Sequence, residues 1–168
     1  MRLTRRGKTV VAVCVFAVLS GLVYGPRSLN AVVVPGVVAL VAAYVQVSRT
    51  REPETVRETP RDDHVGRGGE VALSFVDERS AGPADEPLDR PFVGRVTETV
   101  PDGVSATDTT AETVVGSEPI RYELTYEARG EHSLGPATVA ARDVLGLLER
   151  EFSCVGTDTV LAYPRLHA

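Results

Sequence analysis

Two long stretches without a charged side chain, residues 9–26 and 28–48, constrain this chain more than any other feature. They hold 18 and 21 residues and are rich in Val, Ala and Leu. A bilayer core about 30 Å thick is crossed by about 20 apolar residues in a helix. Backbone amides in hydrocarbon must bond within their own segment, so an open chain crosses only as helix. Lipid therefore overrides the strand preference of the many valines. The run lengths predict a transmembrane helical hairpin over residues 1–49, with helices at about 9–25 and 30–48.

Between the runs lies Tyr24-Gly25-Pro26-Arg27-Ser28-Leu29-Asn30. Gly25-Pro26 is expected to stop the first helix and Asn30 to cap the second. An elbow this short makes the two helices antiparallel. Tyr24 and Tyr44 fall near helix ends, where aromatic rings favour the membrane interface. Gly36, Ala39, Ala42 and Ala43 are small enough for close helix packing. Cys14 is expected to be a small packing residue, and Pro35 to bend the second helix slightly. Arg2, Arg5, Arg6 and Lys8 precede the first helix and Arg49 and Arg51 follow the second, against Arg27 alone in the elbow. The positive-inside rule then places both termini in the cytoplasm, in a cell-membrane protein with two spans. A cleaved signal peptide is the competing reading. Gly-Pro-Arg where a small-x-small site would stand, and a second apolar run directly after it, argue against cleavage.

Charge divides the chain at the same place. Residues 1–51 contain seven basic groups and no Asp or Glu; residues 52–168 contain the other eleven and all 23 acidic groups, a net of −12. A cationic, acid-free segment suits anionic lipid, and the acidic remainder suits water. A net charge of −5 excludes a nucleic-acid binder that works by bulk positive charge. Seventeen of the 18 basic residues are Arg, and about a fifth of residues 52–168 are Asp or Glu. That is the composition expected of a salt-loving archaeon, where dense carboxylates keep the surface hydrated. Two cysteines in 168 residues exclude a disulfide-stapled scaffold. Cys14 and Cys154 are not expected to pair, and Cys154 is expected in the core.

Residues 50–70 read as a linker, with a short strand possible near 54–59 and a flexible Gly66-Arg67-Gly68-Gly69 joint. From residue 71 the pattern turns to period two, the signature of half-buried strands. Val71, Leu73 and Phe75 alternate with Ala72 and Ser74; Ile120, Tyr122, Leu124 and Tyr126 alternate with Arg121, Glu123 and Thr125. Ala137, Val139 and Ala141 continue the pattern, and residues 160–163 form a last strand, exposed and able to pair with another chain. Turn signals at 101–103, 116–119, 129–130, 135–136 and 156–158 separate these runs. Residues 77–91 read as a polar, mobile loop. About seven short strands with turns every ten residues or so predict a mainly β protein, an immunoglobulin-like antiparallel β-sandwich over residues 71–168. Phe75, Phe92, Tyr122, Leu124, Tyr126 and Phe152 would form its core.

No catalytic set is legible. His64, His132 and His167 read as solvated loop residues. Neither a Gly-x-Ser-x-Gly elbow nor a phosphate-binding Gly-x-x-x-x-Gly-Lys loop occurs. Asp77-Glu78 and Asp85-Glu86 lack the ligand spacing of a calcium loop. No cofactor, metal or small-molecule substrate is expected, and the chain reads as a non-enzyme. The most distinctive stretch runs from Arg129-Gly130 through Gly135-Pro136 to Arg142-Asp143 and Gly146-Leu147. Asp143 is placed to accept hydrogen bonds from backbone N–H groups just ahead of it, and Gly146 to take a positive φ. These eight residues form either a structural turn or a rim that docks a partner.

The elbow with Ala31-Val32-Val33 after it, the two turns just named and the terminal Leu161-Ala162-Tyr163-Pro164-Arg165 together resemble the domain-of-unknown-function 58 family in its haloarchaeal form. The resemblance implies a membrane-anchored sandwich that precedes a von Willebrand factor A-like domain. It also implies a partnership with MoxR-type AAA+ ATPases in maturing other complexes. The sequence ends at Ala168 without that second domain or an Asp-x-Ser-x-Ser motif, so the expectation is the N-terminal portion of such a protein. The leading reading is thus a non-enzymatic binding or scaffold module held at the lipid bilayer. The alternative is a cell-surface structural or adhesive sandwich of reversed topology.

Overall fold

A computed structural model describes residues 1–24, 30–76, 88 and 90–165. The 25–29 elbow, nearly all of the 77–91 loop with its acidic pairs, and His167 lie outside the described residues. In chain order the elements are β1 (Arg2–Leu3), α1 (Arg5–Tyr24), α2 (Asn30–Arg49), β2 (Glu54–Glu58), β3 (Asp63–His64), β4 (Gly68–Val76) and β5 (Phe92–Glu98). They continue with β6 (Val104–Ala106), β7 (Thr110–Val115), β8 (Ile120–Tyr126), β9 (Gly130–Leu134), β10 (Ala137–Arg142), β11 (Leu148–Cys154) and β12 (Asp158–Tyr163). The chain is mainly β, with two apolar N-terminal helices ahead of antiparallel sheets. It divides into two compact units: Met1–Arg51 with Ala140–Glu151, and Glu52–Val139 with Phe152–Ala168.

In the first unit α1 begins earlier than the charge-free run predicts, because Thr4 caps it. The Thr4 hydroxyl oxygen accepts the Gly7 N–H at 3.1 Å, and the Lys8 N–H closes the first turn on Thr4 O at 3.0 Å. Both helices are long and apolar enough to cross a membrane. Gly7, Cys14 and Ala17 of α1 and Ala43 and Val47 of α2 are buried, and Gly36 of α2 packs on Cys14. Ala39 is half-buried, whereas Ala42, expected among the packing residues, is exposed. The outer faces are as apolar as the seam: Phe16 is 72% exposed and Leu22 79%. Water-soluble helical pairs carry polar residues there instead.

A Cβ at Gly36 would collide with Cys14 Sγ. Gly36→Leu is therefore expected to force the helices apart, since their contact depends on small residues. Cys14, protected in the parent, should then react with a maleimide in detergent.

In the second unit β2-β4-β8-β6 form one sheet, β3-β12-β9 another, and the near parts of β11 and β10 continue into β5 and then β7 in the order β11-β10-β5-β7. Register is antiparallel from Glu54↔Val76 to Glu58↔Ala72 across β2 and β4, and from Gly68↔Thr125 to Leu73↔Ile120 across β4 and β8. Alternation along β4 and β8 sends one side chain in two inward. One core cluster joins Val71, Tyr122, Leu124 and Tyr126 to Leu134, Val160 and Ala162. A second joins Leu73 and Phe75 to Val96, Val115, Ala137, Val139 and Cys154. The β2-β4-β8-β6 sheet thus packs against strands of both other sheets, closing a β-sandwich.

The structure departs from four expectations. Most of the 50–70 stretch is strand or bridge rather than linker: β2 stands where the short strand near 54–59 is expected, and β3 and the start of β4 lie within the stretch as well. Gly68 and Gly69 are ladder residues, and a side chain at Gly68 would strike Leu124 O. The final strand β12 is interior to its sheet, parallel to β3 at Ala162↔Asp63 and antiparallel to β9 from Asp158↔Leu134 onward. His132 is not a solvated turn residue but a buried member of β9, its Nε2 2.9 Å from Ala128 O.

Candidate functional site

The eight residues singled out by sequence are divided between the units. In the second, Arg129 is exposed ahead of β9 and Gly130 opens that strand at φ 129°. Gly135, at φ 97°, precedes Pro136 across a cis peptide bond. A Cβ on Gly135 would stand 2.6 Å from Gly156 O and 2.8 Å from Arg57 Nη2, so glycine is required there both by φ and by space.

Arg57 is the residue that sequence reasoning missed. It lies on the inward face of β2 with a fully buried side chain. Its Nε donates to Glu98 Oε1 at 3.3 Å and its Nη2 to Glu98 Oε2 at 3.4 Å. Its Nη1 donates to Gly156 O at 2.8 Å and Asp158 Oδ2 at 3.2 Å. Burial pushes the Glu98 carboxyl above the usual carboxylate range, and Arg57 opposes that shift. Burial also pushes the Tyr122 hydroxyl up strongly and the Cys154 thiol up to about 11. Cys154 is thereby held as an inert thiol. The available signal was the alternation Glu54-Thr55-Val56-Arg57-Glu58, which places Thr55 and Arg57 on one face.

In the first unit Arg142, Asp143, Gly146 and Leu147 come together. Asp143 is buried, and its carboxylate accepts Leu145 N–H at 2.9 Å, Leu147 N–H at 2.7 Å and Leu148 N–H at 2.6 Å. Gly146 has φ 66°. This turn is fastened to the start of the chain. Thr4 N–H donates to Leu147 O at 3.0 Å, and Thr4 Oγ1 donates to Gly146 O at 2.5 Å. A Cβ on Gly7 would overlap Leu147 O. Strand β1 pairs with β11 at Arg2↔Glu149 and Leu3↔Leu148. The buried Glu149 accepts from Arg2 Nη2 at 2.6 Å and Arg142 Nε at 2.8 Å. The Arg2 hydrogen bond, with Arg142 adding to it, holds that carboxyl below the usual range. The end of α2 is tied in as well: Gln46 Oε1 accepts Val144 N–H at 3.3 Å, and Thr50 O accepts Arg150 Nη1 at 3.4 Å.

Among the described residues no three His, Cys, Asp or Glu side chains converge as a metal-holding group. The sequence matches no protein-family model and no curated protein. Among solved structures the chain is similar to a cohesin module from the Clostridium perfringens ATCC13124 family 33 glycoside hydrolase, at 12% identity and a TM-score of 0.41, over 69% of this chain and 100% of that one.

Proposed function

We propose that the protein is a non-enzymatic, membrane-anchored β-sandwich module that holds a protein partner beside the bilayer. The observation that carries this reading is the helical pair itself. Its outward side chains, Phe16, Leu19, Leu22, Val34, Val38 and Val41 among them, are apolar and exposed, and its flanks are basic and free of acid. Such a surface is stable in hydrocarbon and aggregates in water. The basic flanks support, by the positive-inside rule, a cytoplasmic side for both termini, and the resemblance to the domain-of-unknown-function 58 family supports a MoxR-type AAA+ ATPase as the partner.

Two measurements test the proposal. Protease applied to intact cells is expected to spare residues 52–168; their digestion would reverse the topology and favour a cell-surface role. Full-length protein extracted from membranes at high salt is expected to bring down a AAA+ ATPase. Recovery with no ATPase above background would remove that partner and leave the anchor.

A further inference from the structure

The turn at 143–146 is oddly composed for a hairpin tip. Gly146 N–H closes it on Asp143 O at 2.9 Å, so Val144 and Leu145 occupy the two central positions. In water those positions favour Asn, Asp, Gly, Ser or Pro. Val144 is 75% exposed and Leu145 52%. The three hydrogen bonds to the Asp143 carboxylate make the frame beneath them rigid.

Its place in the first unit is equally specific. Gln46, in the last turn of α2, holds the Val144 N–H, and Thr4, the cap of α1, holds the Gly146 carbonyl. The tip therefore lies level with the ends of both apolar helices. Each of these has 20 residues and is about 30 Å long, the thickness of the hydrocarbon core. Met1 and Leu3 add exposed apolar surface at the same end. Arg5, Arg6 and Lys8 begin α1 and Arg49 and Arg51 end or follow α2, and Arg6 Nη1 lies 3.9 Å from where a Cβ on Gly146 would stand. Arg5, Arg6 and Lys8 stand in the first turn of α1 with no acid there, against the helix dipole, an arrangement that external anions relieve.

We infer that the 143–146 turn is a lipid-inserting wedge, with Val144 and Leu145 entering the headgroup–acyl boundary of an anionic membrane while the neighbouring cations meet its phosphates. The inference rests on the membrane-anchored reading. Continuity with two apolar helices and the local excess of cations favour lipid over a protein as the occupant.

The chain has no tryptophan, so one introduced indole reports its own surroundings. Full-length Leu145→Trp is reconstituted in phosphatidylcholine–phosphatidylglycerol vesicles whose acyl chains carry bromine at shallow or deep positions. Blue-shifted emission is expected, quenched more by shallow than by deep bromine, as for a depth of about 5–10 Å. Phe16→Trp, on the exposed side of α1, should be quenched most by deep bromine. Water-like, unquenched emission from Leu145→Trp and from the second probe Val144→Trp, beside a quenched Phe16→Trp, overturns the wedge, spares the anchor and assigns the turn to a protein partner. Unquenched Phe16→Trp overturns the anchor itself.

Discussion

Replacing Arg57 with leucine is expected to cost the sandwich about 3–5 kcal/mol near neutral pH, the usual penalty for stranding one member of a buried ion pair. Glu98 would remain buried without its bidentate partner, beside the unpaired hydroxyls of Thr55 and Tyr122. The loss should depend on pH in a definite sense. The Glu98 carboxyl already titrates above the usual range because it is buried. A raised carboxyl favours the folded state when protonated, so its contribution is full at acid pH and is lost as pH rises through the raised value. Without the guanidinium that value rises further. Arg57→Leu should therefore be tolerated best below about pH 4 and worst near neutrality. Arg57→Leu/Glu98→Leu, which removes both charges, should recover most of the loss. Urea melts of the full chain in detergent, followed by the near-ultraviolet signal of the buried Tyr122 and Tyr126, measure all three variants. A single mutant as stable as the parent at neutral pH would show that the pair contributes nothing.

Asp143→Ala is expected to release the turn that closes the first unit. Three backbone N–H groups lose their acceptor at once. At about 1 kcal/mol or more for each donor left without a partner, the sum is about 3 kcal/mol. That corresponds to about a 100-fold faster amide hydrogen exchange at Leu147 and Leu148. Asp143→Asn should lie between, because a single oxygen at the Oδ1 position keeps Leu147 and Leu148 while the new amide group opposes the Leu145 N–H. Unchanged protection in Asp143→Ala would mean that the backbone alone holds the turn.

The helical pair was legible because hydrocarbon imposes a simple rule of length and charge. Its start was not legible, because Arg5, Arg6 and Lys8 are helical but charged, and Thr4, not the end of the apolar run, sets the boundary. Strands β4, β8, β10 and β12 were legible where inward positions are apolar in strict alternation. Strand β5 was not, because its inward residues include Gly94 and Glu98. Strand β9 was hidden by an inward His132 between polar neighbours. In β11 the buried positions 149, 152 and 154 do not share one alternation. Of the candidate site, Asp143 and Gly146 could be read locally, since an Asx turn needs only neighbours in sequence. The Arg57–Glu98–Asp158 network could not, because its members are 41 and 101 positions apart and meet only through the sheets.

Strand β1 is tied to β11 across 147 positions of sequence. During synthesis the helices leave the ribosome long before residues 140–151 exist, so the N-terminal strand must wait, unpaired, until a partner 147 positions further on has been made. A helical pair cut at Arg51 and grafted onto another protein would lack the segment that closes its open end, and any successful transplant has to carry that distant hairpin along.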